Sequence, residues 1–359
     1  MDHRPAPLVR TPGRAALTNP AVRFDRLQAE VVDDGWARDD ELPVLRTVVT
    51  DEVPRTVISR NTSPDLSFDR SINPYRGCEH GCIYCFARPS HAYLGLSPGL
   101  DFETRLVARP DAARVLTGEL RAASYKPAMI AIGTNTDPYQ PIERDRRIMR
   151  SILQVLADFN HPVGIVTKGV LVERDIDILA PMAAKGLVRV GVTITTLDNA
   201  TSRAMEPRVP LPARRLQTIR RLTDAGIPVR VMVSPVVPAL TDHELEPILA
   251  AAAQAGAVAA SSIVLRLPRE VSGLFQDWVT QAYPDRAARI MGRVRELHGG
   301  RDYDPEFGKR MTGQGQWAAL LRRRFDVAIK RLGLTTALPP LRTDLFAVPP
   351  RAGDQLSLF

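Results

Sequence analysis

The 359-residue chain is 44% hydrophobic and 25% charged, the mixture of a globular protein rather than a disordered or fibrous one. No N-terminal basic flank leads into a long apolar run, and the small-apolar run 250–260 is broken by Gln254 and Gly256, so neither a secretory signal nor a bilayer span is expected. The net charge is +8, and the segment from Arg286 to Arg342, with 13 Lys and Arg against 5 Asp and Glu, accounts for all of it; such a segment is either a polyanion-binding surface or a solvated helix face.

Residues 1–42 are rich in Arg, Pro and Ala without a period and are expected to form a poorly ordered arm. Residues 43–270 alternate β-branched runs with amphipathic stretches. The predicted strands are Leu66–Pro74, Ala128–Gly133, Val163–Thr167, Val188–Thr195, Val229–Val233 and Ile263–Leu267, with Phe102–Ala108 placed beside them. The predicted helices between them are Pro110–Ser124, Ile142–Phe159, Val172–Ala184, Pro212–Ala225 and His243–Gln254. Alternation of this kind gives parallel strands with helical crossovers, and six units make a partial (β/α)6 TIM-type barrel with its active site at the C-terminal ends of the strands. Residues 271–334 are expected to be a helical, basic C-terminal extension, with helices near Gly273–Tyr283, Pro284–His298 and Gln316–Leu332. Residues 335–359 hold four prolines and read as a flexible tail.

All three cysteines lie in one loop, Cys78-x3-Cys82-x2-Cys85. Three cysteines this close do not make a disulfide framework; they are three reduced thiols of a cytoplasmic protein or three ligands of one metal centre. Thiolates suit iron–sulfur clusters. Three of them on a four-iron cube leave one iron open, where an electron-transfer ferredoxin would carry a fourth thiolate. Gly77 and Gly81 let the loop wrap closely, and Tyr84 and Phe86 are placed to shield a cluster from water. The rival metal is zinc, with His80 or His91 as fourth ligand.

This loop resembles the signature of the radical S-adenosylmethionine (SAM) superfamily. Further blocks resemble its spore-photoproduct-lyase-like branch, often labelled DNA repair photolyases: Gly133-Thr-Asn-Thr-Asp-Pro-Tyr-Gln-Pro-Ile-Glu143, Val166-Thr-Lys168, Thr193-Ile-Thr-Thr-Leu-Asp198, Glu206-Pro-Arg208, Ser234-Pro-Val-Val-Pro238 and Leu265-Arg-Leu-Pro268. The resemblance runs from about residue 45 to 333. It implies a 4Fe–4S cluster on Cys78, Cys82 and Cys85 and SAM held on its open iron. One electron from the cluster, which a separate donor would reduce, would cleave SAM to methionine and a 5′-deoxyadenosyl radical that abstracts hydrogen from a substrate.

The same resemblance implies SAM contacts from Tyr84, from Thr134, Asn135, Thr136 and Asp137, from Lys168 and from Thr193. Each has an ordinary alternative. Thr136 or Asp137 can cap a helix with Glu143 in its first turn, Lys168 can be a solvent-facing strand end, and Thr193 can reflect β-propensity alone. Glu206 and Arg208 form either a local ion pair or a substrate contact. Two departures stand out. Spore photoproduct lyases use a further cysteine as hydrogen-atom donor, and this chain has none beyond the three. Ala239 also stands where a glycine is expected after Pro238.

Nucleic acid is the substrate class this branch and the 286–342 charge suggest. The alternatives are a protein or small-molecule substrate, or a non-catalytic iron–sulfur module. The terminal Gln355-Leu-Ser-Leu-Phe359 is similar to the peptide by which bacterial replication and repair proteins dock on the DNA sliding clamp, with Leu356, Leu358 and Phe359 as apolar anchors and the Gln355 amide at the rim.

Overall fold

The computed structural model describes residues 11–24 and 45–350. The clamp-like peptide, Gln355 to Phe359, lies outside them. In chain order the strands are β1 (Val48–Asp51), β2 (Ile58–Arg60), β3 (Arg70–Ile72), β4 (Tyr75–Arg76), β5 (Arg105–Ala108), β6 (Ile130–Ile132), β7 (Val163–Thr167), β8 (Val188–Thr193), β9 (Val229–Val236) and β10 (Ala259–Val264). The helices are α1 (Leu100–Thr104), α2 (Ala112–Leu120), α3 (Glu143–Arg146), α4 (Ile148–Asp158), α5 (Ile176–Ala184), α6 (Asn199–Met205), α7 (Pro212–Asp224), α8 (Leu245–Gln254), α9 (Glu270–Ala282), α10 (Ala287–Leu297) and α11 (Gly315–Arg331).

The main sheet runs β10-β9-β8-β7-β6-β3-β2. Its six strands from β3 to β10 are parallel, and β2 adds an antiparallel edge. Alternation divides each strand between two faces. Val188, Val190 and Val192 of β8 and Val229, Val231 and Val233 of β9 point outward and are buried under the helices with Ile152, Leu156, Ile219 and Ile248. The intervening residues, among them Val166, Lys168, Thr193 and Met232, face an interior cavity. The sheet is open between its two edges, β10 and β2. A downstream segment crosses that seam: the Val264 N–H donates to the Met311 carbonyl at 3.0 Å, and Arg310 makes a two-pronged ion pair with Asp65, at 2.7 and 2.5 Å.

Several expectations change. Phe102–Ala108 is a short helix, α1, followed by β5, and β5 joins a separate three-stranded sheet with β1 and β4. The reason is Glu103, whose buried carboxylate faces Arg88 instead of solvent. The stretch Leu66–Pro74 keeps only Arg70–Ile72 as strand, and the helix expected over Ile142–Phe159 divides at Arg147, which has φ 52. The last strand lies earlier than Ile263–Leu267, at Ala259–Val264, and α6 was not anticipated.

Parts of both terminal segments are packed. Ala15 and Ala16 are fully buried, and their N–H groups donate to Glu103. Residues 335–350 run under the N-terminal ends of the strands. Thr335 bridges Ala259, the Arg342 N–H reaches the Gly186 carbonyl, and Phe346 packs on Tyr125, Phe159 and His161. An apolar aromatic with neighbours to bury against does not stay in solvent. Helix α9 is also no outlying appendage: Leu274, Phe275 and Trp278 are buried beside Ile83 and Tyr84.

Candidate functional site

The cysteine loop follows β3 and β4 directly, at the C-terminal end of the main sheet. Its backbone is tied at several points. The Cys78 N–H donates to the Phe102 carbonyl at 2.9 Å and the Ile83 N–H to the Met205 carbonyl at 3.0 Å. Gly77 (φ 75) and Gly81 (φ 64) take left-handed turns, and a Cβ on either would lie within 2.7 Å of a neighbour, Leu106 or Glu103. Gln140, fully buried, accepts from the Glu79 N–H and donates to the Gly77 carbonyl.

Beneath the loop lies a fully buried ion pair. Arg88 donates to Glu103 at 2.5 Å and to the carbonyls of Gly81, Cys82, Pro98 and Gly99. A buried guanidinium with this many acceptors acts as a rigid bracket, since removing any partner would strand a charge. A second fully buried pair, Arg215–Glu206 at 2.8 Å, brackets the opposite side. Glu206 accepts from Thr195 at 2.7 Å and from the Tyr84 hydroxyl, and Arg215 donates to the Thr193 carbonyl at 2.9 Å. Burial alone would raise the Glu206 pKa, but Arg215 and Lys168 overturn this and hold it low. Arg208 reaches Glu79 at 3.3 Å. The Glu206-Pro-Arg208 block therefore clasps β8 and the cysteine loop together.

Asp137 joins β6 to β7. Its oxygens accept from Thr167 at 2.6 Å, from the Lys168 N–H at 2.7 Å and from the Tyr139 N–H at 2.9 Å, and His80 Nδ1 stands 3.3 Å away. Burial would raise its pKa, but His80 and these hydrogen bonds depress it to about 2. The Thr136 hydroxyl donates to the Tyr75 carbonyl, and Glu143 is buried against Tyr75 and Arg174. Neither Thr136 nor Asp137 caps a helix, since α3 has Ile142 at its N-cap with no side-chain bond.

Cys78, Cys82, Cys85, Tyr84, Thr134, Asn135, Thr136, Asp137, Lys168 and Thr193 all line one cavity of about 460 Å3. The seven residues expected to contact SAM and the three cysteines are thus gathered at one place. Lys168 is half-buried, its ammonium 5.7 Å from the Tyr84 ring centroid. Desolvation lowers its pKa, but Cys82, Glu206 and Asp137 outweigh this and raise it. Burial pushes the Cys82 thiol up to about 12 and raises Cys78 well above the ordinary thiol range. Across the cavity, Arg266 stacks on Phe86, its guanidinium carbon 4.8 Å from the ring centroid, and donates to the Tyr303 hydroxyl at 3.3 Å. His91 is turned away, its Nε2 on the Arg105 carbonyl. Among the described residues no three His, Cys, Asp or Glu side chains converge as a single metal ion requires.

Sequence reasoning missed the brackets. Arg88, Glu103 and Arg215 belong to none of the motif blocks of the sequence. The one available signal is at Arg215, a charge on the apolar face of α7 in line with Ile219 and Leu222.

A sequence model of the Radical SAM superfamily matches residues 72–252. The uncharacterized protein Rv2578c of Mycobacterium tuberculosis is 40% identical over 235 residues, covering 65% of this chain and 68% of that protein. The uncharacterized protein MJ0683 of Methanocaldococcus jannaschii is 28% identical over 173 residues, 48% of this chain and 62% of that one. Among solved structures, spore photoproduct lyase complexed with dinucleoside spore photoproduct superposes with a TM-score of 0.58 at 16% identity, covering 80% of this chain and 81% of that one. A variant of the same lyase with bound AdoMet and dinucleoside spore photoproduct gives 0.57, with the same coverage and identity.

Proposed function

The chain belongs to the radical SAM superfamily, and on that premise we propose that the cavity at the C-terminal mouth holds a 4Fe–4S cluster on Cys78, Cys82 and Cys85, with SAM beside it. The observation that carries the proposal is that the three cysteines, Lys168 and the Thr134–Asp137 block line one enclosed space. The donor set fits. A four-iron cube distributes its thiolates over separate irons, so the side chains need not converge on one point as a lone zinc ion demands. Of the two histidines that zinc could take as its fourth ligand, His80 stands 3.3 Å from Asp137 and His91 turns its Nε2 to the Arg105 carbonyl. Bound there, the cluster and SAM together supply a 5′-deoxyadenosyl radical.

The chain's own residues bind, orient and exclude water. Lys168, the half-buried cation of the cavity, pairs with the SAM carboxylate. Tyr84, fixed by Glu206, packs its ring beside that ammonium. Thr134, Asn135 and Thr193 supply polar wall groups. Asp137 and Thr136 act chiefly by position: their hydrogen bonds to β7 and to Tyr75 fix where the wall stands. The two buried arginine–glutamate brackets hold the loop rigid, so the site needs no rearrangement to receive its cofactor.

For substrate we favour nucleic acid. The shared fold accommodates a dinucleoside lesion in spore photoproduct lyase, and several arginines of the 286–342 segment, among them exposed Arg322 and Arg323, have no acidic partner among the described residues. Repair by the lyase route would need a hydrogen-atom donor other than a fourth cysteine. Docking of Gln355–Phe359 on a sliding clamp belongs to the same reading and rests on sequence alone. No described helix is long and apolar enough to cross a membrane.

The test is anaerobic reconstitution followed by reduction with SAM. About four irons per chain, a reduced-cluster spectrum that changes on adding SAM, and 5′-deoxyadenosine stimulated by DNA or RNA are expected. Cys82→Ala should abolish all three. Stoichiometric zinc without iron uptake would overturn the assignment, and deoxyadenosine formation indifferent to every nucleic acid would overturn the substrate class.

A further inference from the structure

Two arginines sit inside the barrel at the end opposite the cysteines. On β8, Arg189 shares a face with Gly191 and Thr193. On β9, Arg230 shares a face with Met232 and Ser234. Thr193, Met232 and Ser234 line the mouth cavity, so this is the interior face and the arginines are its lowest members. Strand register places Gly164 level with Arg189 and Gly191 level with Arg230. The two glycines, one inward-facing step apart, leave the interior without a side chain beside each arginine. Methionine sulfurs enter the space: a Cβ on Gly191 would stand 2.9 Å from the Met232 sulfur, and one on Gly164 would stand 3.3 Å from the Met129 sulfur and 3.9 Å from Arg189 Nε. The thioethers form a layer between the SAM-side cavity and the guanidinium groups below.

The floor is short of acceptors. Arg189 donates to the Met129 sulfur at 3.1 Å, a weak acceptor, and Arg230 donates to the Thr336 carbonyl at 2.9 Å. Among the described residues no Asp or Glu comes within ion-pair distance of either. Two guanidiniums carry ten N–H donors between them. Desolvation lowers the pKa of both, and the Arg189 charge lowers that of Arg230 further. On β10, two residues beyond Ala259, the Arg230 partner, the Ser261 hydroxyl is buried with no hydrogen-bond partner. The fully buried arginines of the mouth are each matched to a carboxylate and to carbonyls. This half-buried pair has no carboxylate.

We propose that the barrel floor binds a small phosphate-type oxyanion between Arg189 and Arg230. Planar guanidinium forks suit tetrahedral oxyanions, which accept two parallel N–H bonds from each. One dianion would offer strong acceptors where the protein provides one sulfur and one carbonyl, and relieve the repulsion between neighbouring like charges. The site is distinct from the SAM cavity and does not depend on the cluster assignment. Two sources share this chemistry, free inorganic phosphate and the terminal phosphate of a nucleotide.

The experiment follows the thermal midpoint of the full-length, cluster-loaded protein. Inorganic phosphate and a nucleoside 5′-monophosphate are titrated separately, with chloride holding ionic strength constant. A saturable rise of a few degrees is expected with at least one of them, and the ligand saturating at lower concentration names the source. The Arg189→Gln, Arg230→Gln double variant should show no rise while keeping its iron content and SAM-dependent spectrum. If that variant does not fold, Arg189→Met, which restores an apolar contact to Met129, should also lose the response. No rise in the wild type, or an equal rise in the variants, overturns the proposal.

Discussion

At the mouth of the barrel, Arg88 meets Glu103 and Arg215 meets Glu206, each pair fully buried; at the floor, Arg189 and Arg230 lie half-buried on neighbouring strands, each level with a glycine, with one sulfur and one carbonyl as acceptors. Both ends place cationic groups on or beside the same strands. The mouth closes its electrostatics internally, so that the loop it supports is stiff before any ligand arrives. The floor leaves its charge open to something outside the chain. A buried pair contributes little net stability over an apolar substitute but makes loss of one partner expensive. The mouth is therefore a place where single substitutions do great damage, and the floor one where they are tolerated.

The sharpest way to break this comparison is at Arg88. Arg88→Met leaves the Glu103 carboxylate buried with only the Ala15 and Ala16 N–H groups on its oxygens. The expected loss is about 3–5 kcal/mol, read as a fall in the urea midpoint, with poor iron retention because the Gly81 and Cys82 carbonyls lose their donor. Adding Glu103→Leu to the same chain removes the stranded charge and should recover a large part of the stability. A double variant no better than the single one would mean that the carbonyl contacts, not the charge pairing, carry the effect.

A smaller effect is expected at His161, beneath β7. Its ring is fully buried, hydrogen-bonded to the Tyr125 hydroxyl at 2.7 Å and packed against Phe346. Burial lowers its pKa from 6.5 to about 4. The unfolded chain therefore binds a proton near pH 6.5 that the folded chain refuses until about pH 4. Stability falls as the pH drops through that window and levels off below it, by about 3 kcal/mol for this group. His161→Gln should flatten the part of the acid slope that His161 contributes. Urea unfolding at pH 7.5 and 4.5 in both proteins checks it, and parallel losses would remove His161 from the account.

The contrast between mouth and floor also separates what could be read in the chain from what could not. The cysteine loop, the six parallel strands and the polar block Thr134–Asp137 announce themselves through spacing and period, which are local properties. The brackets are pairings across space. Nothing near Glu206 names Arg215, and nothing near Asp65 predicts Arg310, 245 positions away, which holds the seam shut. Phe102–Ala108 reads as a strand beside the six repeating units, and only Arg105–Ala108 is one. Glu103 broke that inference, because its side chain turns inward to a charge. The Arg147 break in the α3–α4 stretch had no signal, since the residue is neither Gly nor Pro. Phe346 and its neighbours were read as tail because prolines surround them, yet an aromatic pocket was waiting on Phe159 and Tyr125.

Ala239 brings the comparison to its finest scale, one residue in a strained conformation beside the mouth. It stands where the family resemblance called for glycine, and its φ is 58, in the left-handed region. An L-residue with a Cβ pays roughly 1–2 kcal/mol there. The conformation is held from both sides: the Leu240 and Thr241 N–H groups bind the Val237 carbonyl, and Arg286 donates to the Ala239 carbonyl at 2.5 Å. Ala239→Gly relieves the strain but loosens the unfolded chain by about 0.4–1 kcal/mol and gives up a half-buried methyl. The net change is expected between zero and a gain of about 1 kcal/mol. The control is Ala319→Gly on the exposed face of α11, an ordinary helical position, where the same substitution costs about 1 kcal/mol. The difference between the two variants, read from urea midpoints at equal slope, isolates the backbone term. Equal losses at both positions would show that residue 239 adopts its turn without strain, and that the glycine of the family pattern answers to some other need.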